Sequence, residues 1–155
     1  MQTTIELDKV IKKELMIIDS KAATKAEILA ELVERLAMQK AVTDPAAFLA
    51  DVYLREAEGE TGIGQGIAIP HGKSPAVQET TVAIATLENE IEWETLDGKG
   101  VKAVILFAVK DSDANTTHIL LLQQIAILLA NDIFIEHLKA VTSVDELFEL
   151  IVNQK

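Results

Sequence analysis

The sequence predicts a single α/β domain over residues 1–155, a mixed β-sheet flanked by helices on both faces in a three-layer α/β/α arrangement. Three observations point there. Leu29, Leu32, Val33 and Leu36 recur at helical spacing behind a Thr24/Glu27 capping box. The run "VKAVILFAV", residues 101–109, is apolar almost without interruption and fits a central strand covered on both sides. Helical patterns then return, so strands and helices interleave with no linker-like break. A chain of this length buries about 68–70% of the surface its unfolded form exposes, enough for a core without staples.

Taken in order, residues 5–13 are weakly helical and residues 15–18 form a short apolar run suited to a first strand. Thr24 opens a helix that reaches to about Gln39. Asp44 caps the next, Pro45 suits its first position, and Gly59 can end it. A glycine-rich stretch follows, "TGIGQGIAIPHGK", in which Ile67, Ala68 and Ile69 read as a short buried strand. Residues 81–87 read as a strand. Ile91 and Trp93 continue as a period-two edge segment, with Trp93 packed over the sheet. Asp97-Gly98 signals a tight turn before the central strand. Asn115 or Thr116 caps a helix through Leu129 that is apolar nearly all round and is therefore expected to be buried. A short helix near 133–139 follows, and Ser143 with Glu146 caps a last one to about Val152.

Composition excludes several classes. There is no cysteine, hence no disulfide, thiolate metal site or cysteine nucleophile, which fits a reducing cytoplasm. The net charge of −11 repels nucleic-acid phosphates, so no nucleic-acid partner is expected. The same charge either keeps the surface solvated or steers basic partners toward it. The N-terminus has no signal-like run, and the longest apolar stretch is interrupted by Gln123 and Gln124, short of the ~20 residues of a membrane span. A cytoplasmic protein is expected.

The glycine stretch carries the chemistry. Gly62, Gly64 and Gly66 let a backbone come close to something, and successive amides in such a loop can cradle an anion. A dinucleotide-binding loop is disfavoured, because these glycines follow a helix and precede an extended segment, the reverse of that fingerprint. Pro70 stiffens the strand end, so His71 is aimed, while Gly72 removes bulk and leaves room for a visiting group. The bland alternative is a solvated histidine in a turn. A largely neutral imidazole offers a lone pair to phosphorus without a separate base, and the P–N bond it forms is labile enough to pass the group on.

Two residues are candidate helpers. Phe48, Val52 and Arg55 share one stripe of the second helix. A guanidinium there needs an anion, either the neighbouring Glu56 or a phosphoryl group beside His71. His118 falls in the first turn of the apolar helix, where the N-terminus disfavours the imidazolium and attracts anions. A satisfied core histidine is the alternative there. His137, late in a short helix, reads as structural or exposed. No histidine pair has metal-ligand spacing, no acidic cluster surrounds His71 and no Gly-x-Ser-x-Gly elbow appears, so neither a metal, nor another cofactor, nor a serine hydrolase is expected.

"REAEGETGIGQGIAIPHGKSPAV" strongly resembles the phosphorylation site of enzyme IIA of the bacterial phosphoenolpyruvate-dependent sugar phosphotransferase system, fructose/mannitol type. "IEWETLDGKGVKAVILFAVKDSDANTTHILLLQQIAILLANDIFIEHL" is similar to the second half of that family, and the texture is nearest its fructose branch. Lys110 departs from it, standing where that branch often has proline. The resemblance implies that His71 is phosphorylated, that Arg55 flanks the phosphoryl group and that His118 is the second active-site histidine. It implies a phosphoryl route from the phosphocarrier HPr to His71, on to a cysteine of enzyme IIB, and indirectly to a membrane sugar transporter. A regulatory relative of the nitrogen-related kind would be phosphorylated identically but act by binding a target. A non-catalytic anion or nucleotide binder is the other rival.

Overall fold

The structure is a computed structural model that describes residues 7–113 and 117–153. Its strands are β1 (Ile11–Ser20), β2 (Gly62–Gly64), β3 (Ile67–Ala68), β4 (His71–Ser74), β5 (Thr81–Ile91) and β6 (Val101–Lys110). Its helices are α1 (Leu7–Val10), α2 (Lys25–Met38), α3 (Pro45–Glu56), α4 (Thr117–Leu129), α5 (Asp132–Ala140) and α6 (Val144–Val152). The strands form one sheet in the order β1-β5-β6-β3-β2, with β4 also paired to β6. β5 and β6 run antiparallel, whereas β1 joins β5, and β3 and β4 join β6, in parallel. The sheet is mixed, as the sequence predicts.

Alternation along the strands divides the interior in two. Leu15, Ala83, Ala85, Val104 and Leu106 face Leu29, Leu32 and Leu36 of α2 and Phe48 and Val52 of α3. Met16, Val82, Ile84, Ile105 and Phe107 face Leu121 and Ile125 of α4, Ile135 of α5 and Leu147 of α6. Every one of these residues is buried, so the central strands are covered on both faces and the three-layer reading stands.

The helix starts follow their caps. Thr24 Oγ1 accepts the Glu27 N–H at 3.1 Å, and Glu27 reaches back to the Ala23 N–H at 2.7 Å. Asp44 accepts the Ala47 N–H at 3.1 Å ahead of Pro45, and Ser143 accepts the Glu146 N–H at 3.1 Å.

Several boundaries differ from expectation. Among the described residues of 5–13, only Leu7–Val10 is helical, and β1 begins at Ile11 because its edge pairing with β5 outweighs a weak local helical preference. β5 runs on to Ile91, and Trp93 lies beyond its end, not in an edge strand. α3 is capped at Ala57, before Gly59. The proposed caps Asn115 and Thr116 lie outside the described residues. α4 is not buried all round: Leu121 and Ile125 are covered, but Ile119 is 49% and Ile127 71% exposed. An apolar composition fixes which face can be buried, yet a helix on the outside of a sheet has only one face to bury. Among the described residues no single helix is long and apolar enough to cross a membrane.

Candidate functional site

His71 opens β4 and is paired in register with Phe107 of β6. The Phe107 N–H donates to the Pro70 carbonyl at 2.9 Å, so the residue before the histidine is fixed both by its ring and by the sheet. The imidazole stands edge-on to Phe107, with centroids 5.5 Å apart and planes at 74°. It is half-buried, with Nδ1 on the buried side.

Gly72 plays a different part from the one expected. A Cβ there would lie 2.6 Å from Phe48 Cε1 and 2.8 Å from Val52 Cγ2. The missing side chain makes room for α3 to lie against β4, not for an approaching group. That close packing carries Arg55, in the last turn of α3, to the site.

Burial, first, and the Arg55 guanidinium, second, hold the His71 imidazole below its ordinary pKa. The Ile69 and Pro70 backbone and the Glu56 carboxylate pull the other way without winning. The ring therefore stays neutral, with a lone pair available, to lower pH than an ordinary histidine. Arg55 is half-buried, and its Nη1 donates to the Gly59 carbonyl at 3.3 Å.

Glu56 is not the partner of Arg55. Its side chain is 5% exposed and meets Lys25 Nζ at 2.7 Å. It also accepts a 2.6 Å hydrogen bond from the Thr61 hydroxyl, which in turn accepts from Trp93 Nε1 at 3.3 Å. Lys25 reaches Glu94 as well, at 2.6 Å, and lies 4.9 Å over the Trp93 ring. Burial alone would lower the Lys25 pKa, but its hydrogen bonds to Glu56 and Glu94 outweigh burial and raise it. The Thr61 carbonyl accepts the Ile69 N–H at 2.9 Å, which ties this cluster to the segment leading into His71.

The glycines serve the chain itself. A Cβ on Gly62 would lie 2.7 Å from the Glu94 carbonyl oxygen, and the Gly62 N–H donates to that oxygen at 3.3 Å. The Gln65 N–H donates to Asp97 Oδ2 at 3.1 Å. These two amides are committed within the fold, which argues against an anion cradle in this stretch.

His71 and Arg55 are thus brought together. His118 is the second residue of α4, and its side chain lies outside what the structure describes. His137 is exposed on α5. Sequence reasoning missed Lys25 and Thr61, and it read Trp93 as packing alone. No periodicity links positions 25, 56, 61 and 93. The one local signal is the Glu next to Arg55, which the sequence offers as one of two partners for that guanidinium and which the fold gives to Lys25. A neutral imidazole beside a fixed guanidinium is suited to receiving an anionic electrophile such as a phosphoryl group.

Comparison with known proteins agrees in kind. The family model described as "Phosphoenolpyruvate-dependent sugar phosphotransferase system, EIIA 2" matches residues 9–154. The 2-O-alpha-mannosyl-D-glycerate-specific EIIABC component of the Escherichia coli K12 phosphotransferase system is 33% identical over 148 residues, 95% of this chain. The match covers only 22% of that relative's length. The nitrogen regulatory protein of the same strain is 30% identical over 155 residues, 97% of this chain and 92% of the relative. Among solved structures, the Escherichia coli complex of mannitol enzyme IIA with phosphorylated enzyme IIB superposes with a TM-score of 0.79 at 26% identity, over 94% of this chain and 100% of the matched one.

Proposed function

This chain belongs to the phosphoenolpyruvate-dependent sugar phosphotransferase system EIIA 2 family, whose members are phosphohistidine-carrying phosphotransferase components, and on that premise we propose that His71 is the residue that carries the group. The observation that carries this reading is the half-buried His71 ring, one nitrogen turned inward, with the Arg55 guanidinium acting on it. With Nδ1 on the buried side, Nε2 is the nitrogen that attacks. The donor is a phosphohistidine on HPr. Its P–N bond breaks as a new P–N bond forms to Nε2, and the donor ring recovers its lone pair, so no proton is exchanged overall. A thiolate of an enzyme IIB cysteine then takes the group, breaking the P–N bond and returning the lone pair to His71. Each step is an in-line transfer through a loose transition state, in which positioning and charge stabilisation dominate. Arg55 neutralises equatorial oxygens, and His118 completes the site from the start of α4. The whole chain acts as one carrier domain in the cytoplasm, feeding a membrane transporter for a fructose-type sugar.

Reconstitution with enzyme I, HPr and phosphoenolpyruvate tests this. Acid-labile label is expected on His71 and lost in His71→Gln; full labelling of that variant would refute the assignment. A second reading, a regulatory module that binds a target according to its phosphorylation, is favoured by the near full-length match to the nitrogen regulatory protein. Transfer from His71 to a candidate enzyme IIB cysteine separates the two.

A further inference from the structure

We propose that Glu56 sets how readily phosphorylated His71 gives up its group: the buried carboxylate, pinned by Lys25 and Thr61, opposes the phosphoryl charge and keeps the carrier from becoming a trap. This rests on His71 being the phosphoacceptor. Glu56 is a positioning residue that acts through its charge.

A carboxylate only 5% exposed is costly to desolvate, and an amide would fill the same space. The fold nevertheless holds this one rigidly. Thr61 donates to it at 2.6 Å, and the Thr61 carbonyl takes the Ile69 N–H at 2.9 Å, two residues before His71. The carboxylate is thus tied by hydrogen bonds to the backbone that leads into His71. Lys25 does not cancel the charge of Glu56 outright, because it is shared with Glu94, 2.7 Å from one carboxylate and 2.6 Å from the other. Among the described residues, the charged groups acting on His71 are Arg55 and Glu56, both from α3. Glu56 favours the protonated imidazole. A charge that favours a cationic ring disfavours a phosphorylated one, which carries PO₃ with its negative oxygens. Arg55 has the opposite sign. A carrier needs both, since it must accept the group and then release it; with Arg55 alone the phosphorylated form would be too stable to serve as a donor.

The test is an equilibrium. Phosphorylated HPr is incubated with the chain, and the fraction of phosphorylated His71 is read by ³¹P NMR for the wild type, for Glu56→Gln and for Lys25→Gln/Glu56→Gln. Glu56→Gln keeps an oxygen for Thr61 and removes the charge. It is expected to shift the equilibrium toward phosphorylated His71 roughly threefold to tenfold, the scale of a partly screened charge pair. It should also lower the His71 pKa in a ring-proton titration. The double variant leaves no buried unpaired charge, since Glu94, the other carboxylate that Lys25 holds, is 66% exposed, and it is expected to shift the same way by less. Loss of structure alone would not produce a more stable phosphorylated form. A wild type that takes no phosphoryl group sinks the phosphoacceptor reading itself. A wild type that takes it, with folded variants whose equilibrium is unchanged or reversed, sinks only the role of Glu56. Two variants that fail to fold make the pair a structural tie and overturn the inference as well.

Discussion

A histidine nucleophile is useful only while its ring is neutral, and the surroundings of His71 favour that form from two directions. Burial penalises the imidazolium and Arg55 repels it. Phosphoryl acceptance should therefore hold its rate as pH falls past 6.5, the ordinary histidine value, and decline only at lower pH. Initial rates at constant donor phosphorylation check this; a half-loss at or above the ordinary value would contradict it. The linkage has the same sign. Because the folded pKa lies below the unfolded one, the unfolded chain binds its proton first on acidification, so the stability associated with neutral His71 is complete above 6.5 and is lost as pH falls toward the folded pKa. Arg55→Ala separates two consequences of one charge. Transfer should fall by about 10²–10³, the scale of losing one preorganised donor, while the His71 pKa rises. An unchanged rate removes Arg55 from the site.

At the scale of elements, what could be read in advance was whatever depends on neighbours in sequence. The caps at Thr24, Asp44 and Ser143 need only three or four residues, and each is formed. The apolar run of β6 announces a doubly covered strand, and it is one. The Pro-His-Gly triplet is equally local, and the stiff strand end that it predicts is the start of β4. The burial of α4 was not, because its apolar residues say nothing about how many faces the layer leaves open. The Lys25–Glu56–Thr61–Trp93 cluster was not either: it joins α2, α3 and two loops through side chains remote in sequence. Gly72 was legible as a glycine needing space, and only the packed fold says what takes that space. Gly72→Ala would press a methyl group against Phe48 and Val52, and α3 cannot retreat without moving Arg55. A loss of roughly 1–3 kcal/mol is expected, the cost of overpacking, with slower phosphoryl transfer alongside it. An unaltered urea midpoint would show that α3 is looser against β4 than the contacts indicate.

At the scale of the whole molecule, the −11 net charge becomes a statement about encounter. The site carries two cations, Arg55 and Lys25, against two carboxylates, Glu56 and Glu94, between which Lys25 is shared, so its local balance is close to neutral. The body around it is strongly acidic. On the proposed function, a basic donor would be drawn in by the body and oriented by the site, and these two effects respond differently to salt. Long-range attraction between exposed charges decays over a Debye length of about 8 Å at physiological ionic strength, whereas contacts at the half-buried ring are screened far less. A donor with a basic docking face should accordingly show kcat/KM falling as salt rises, with the change in KM and little in kcat. Transfer rates from phosphorylated HPr over a sodium chloride series, under both saturating and dilute donor, measure the two separately. A kcat/KM indifferent to salt would mean that the acidic surface only keeps the protein in solution; a fall confined to kcat would place the sensitive charges at the imidazole and not on the approach to it.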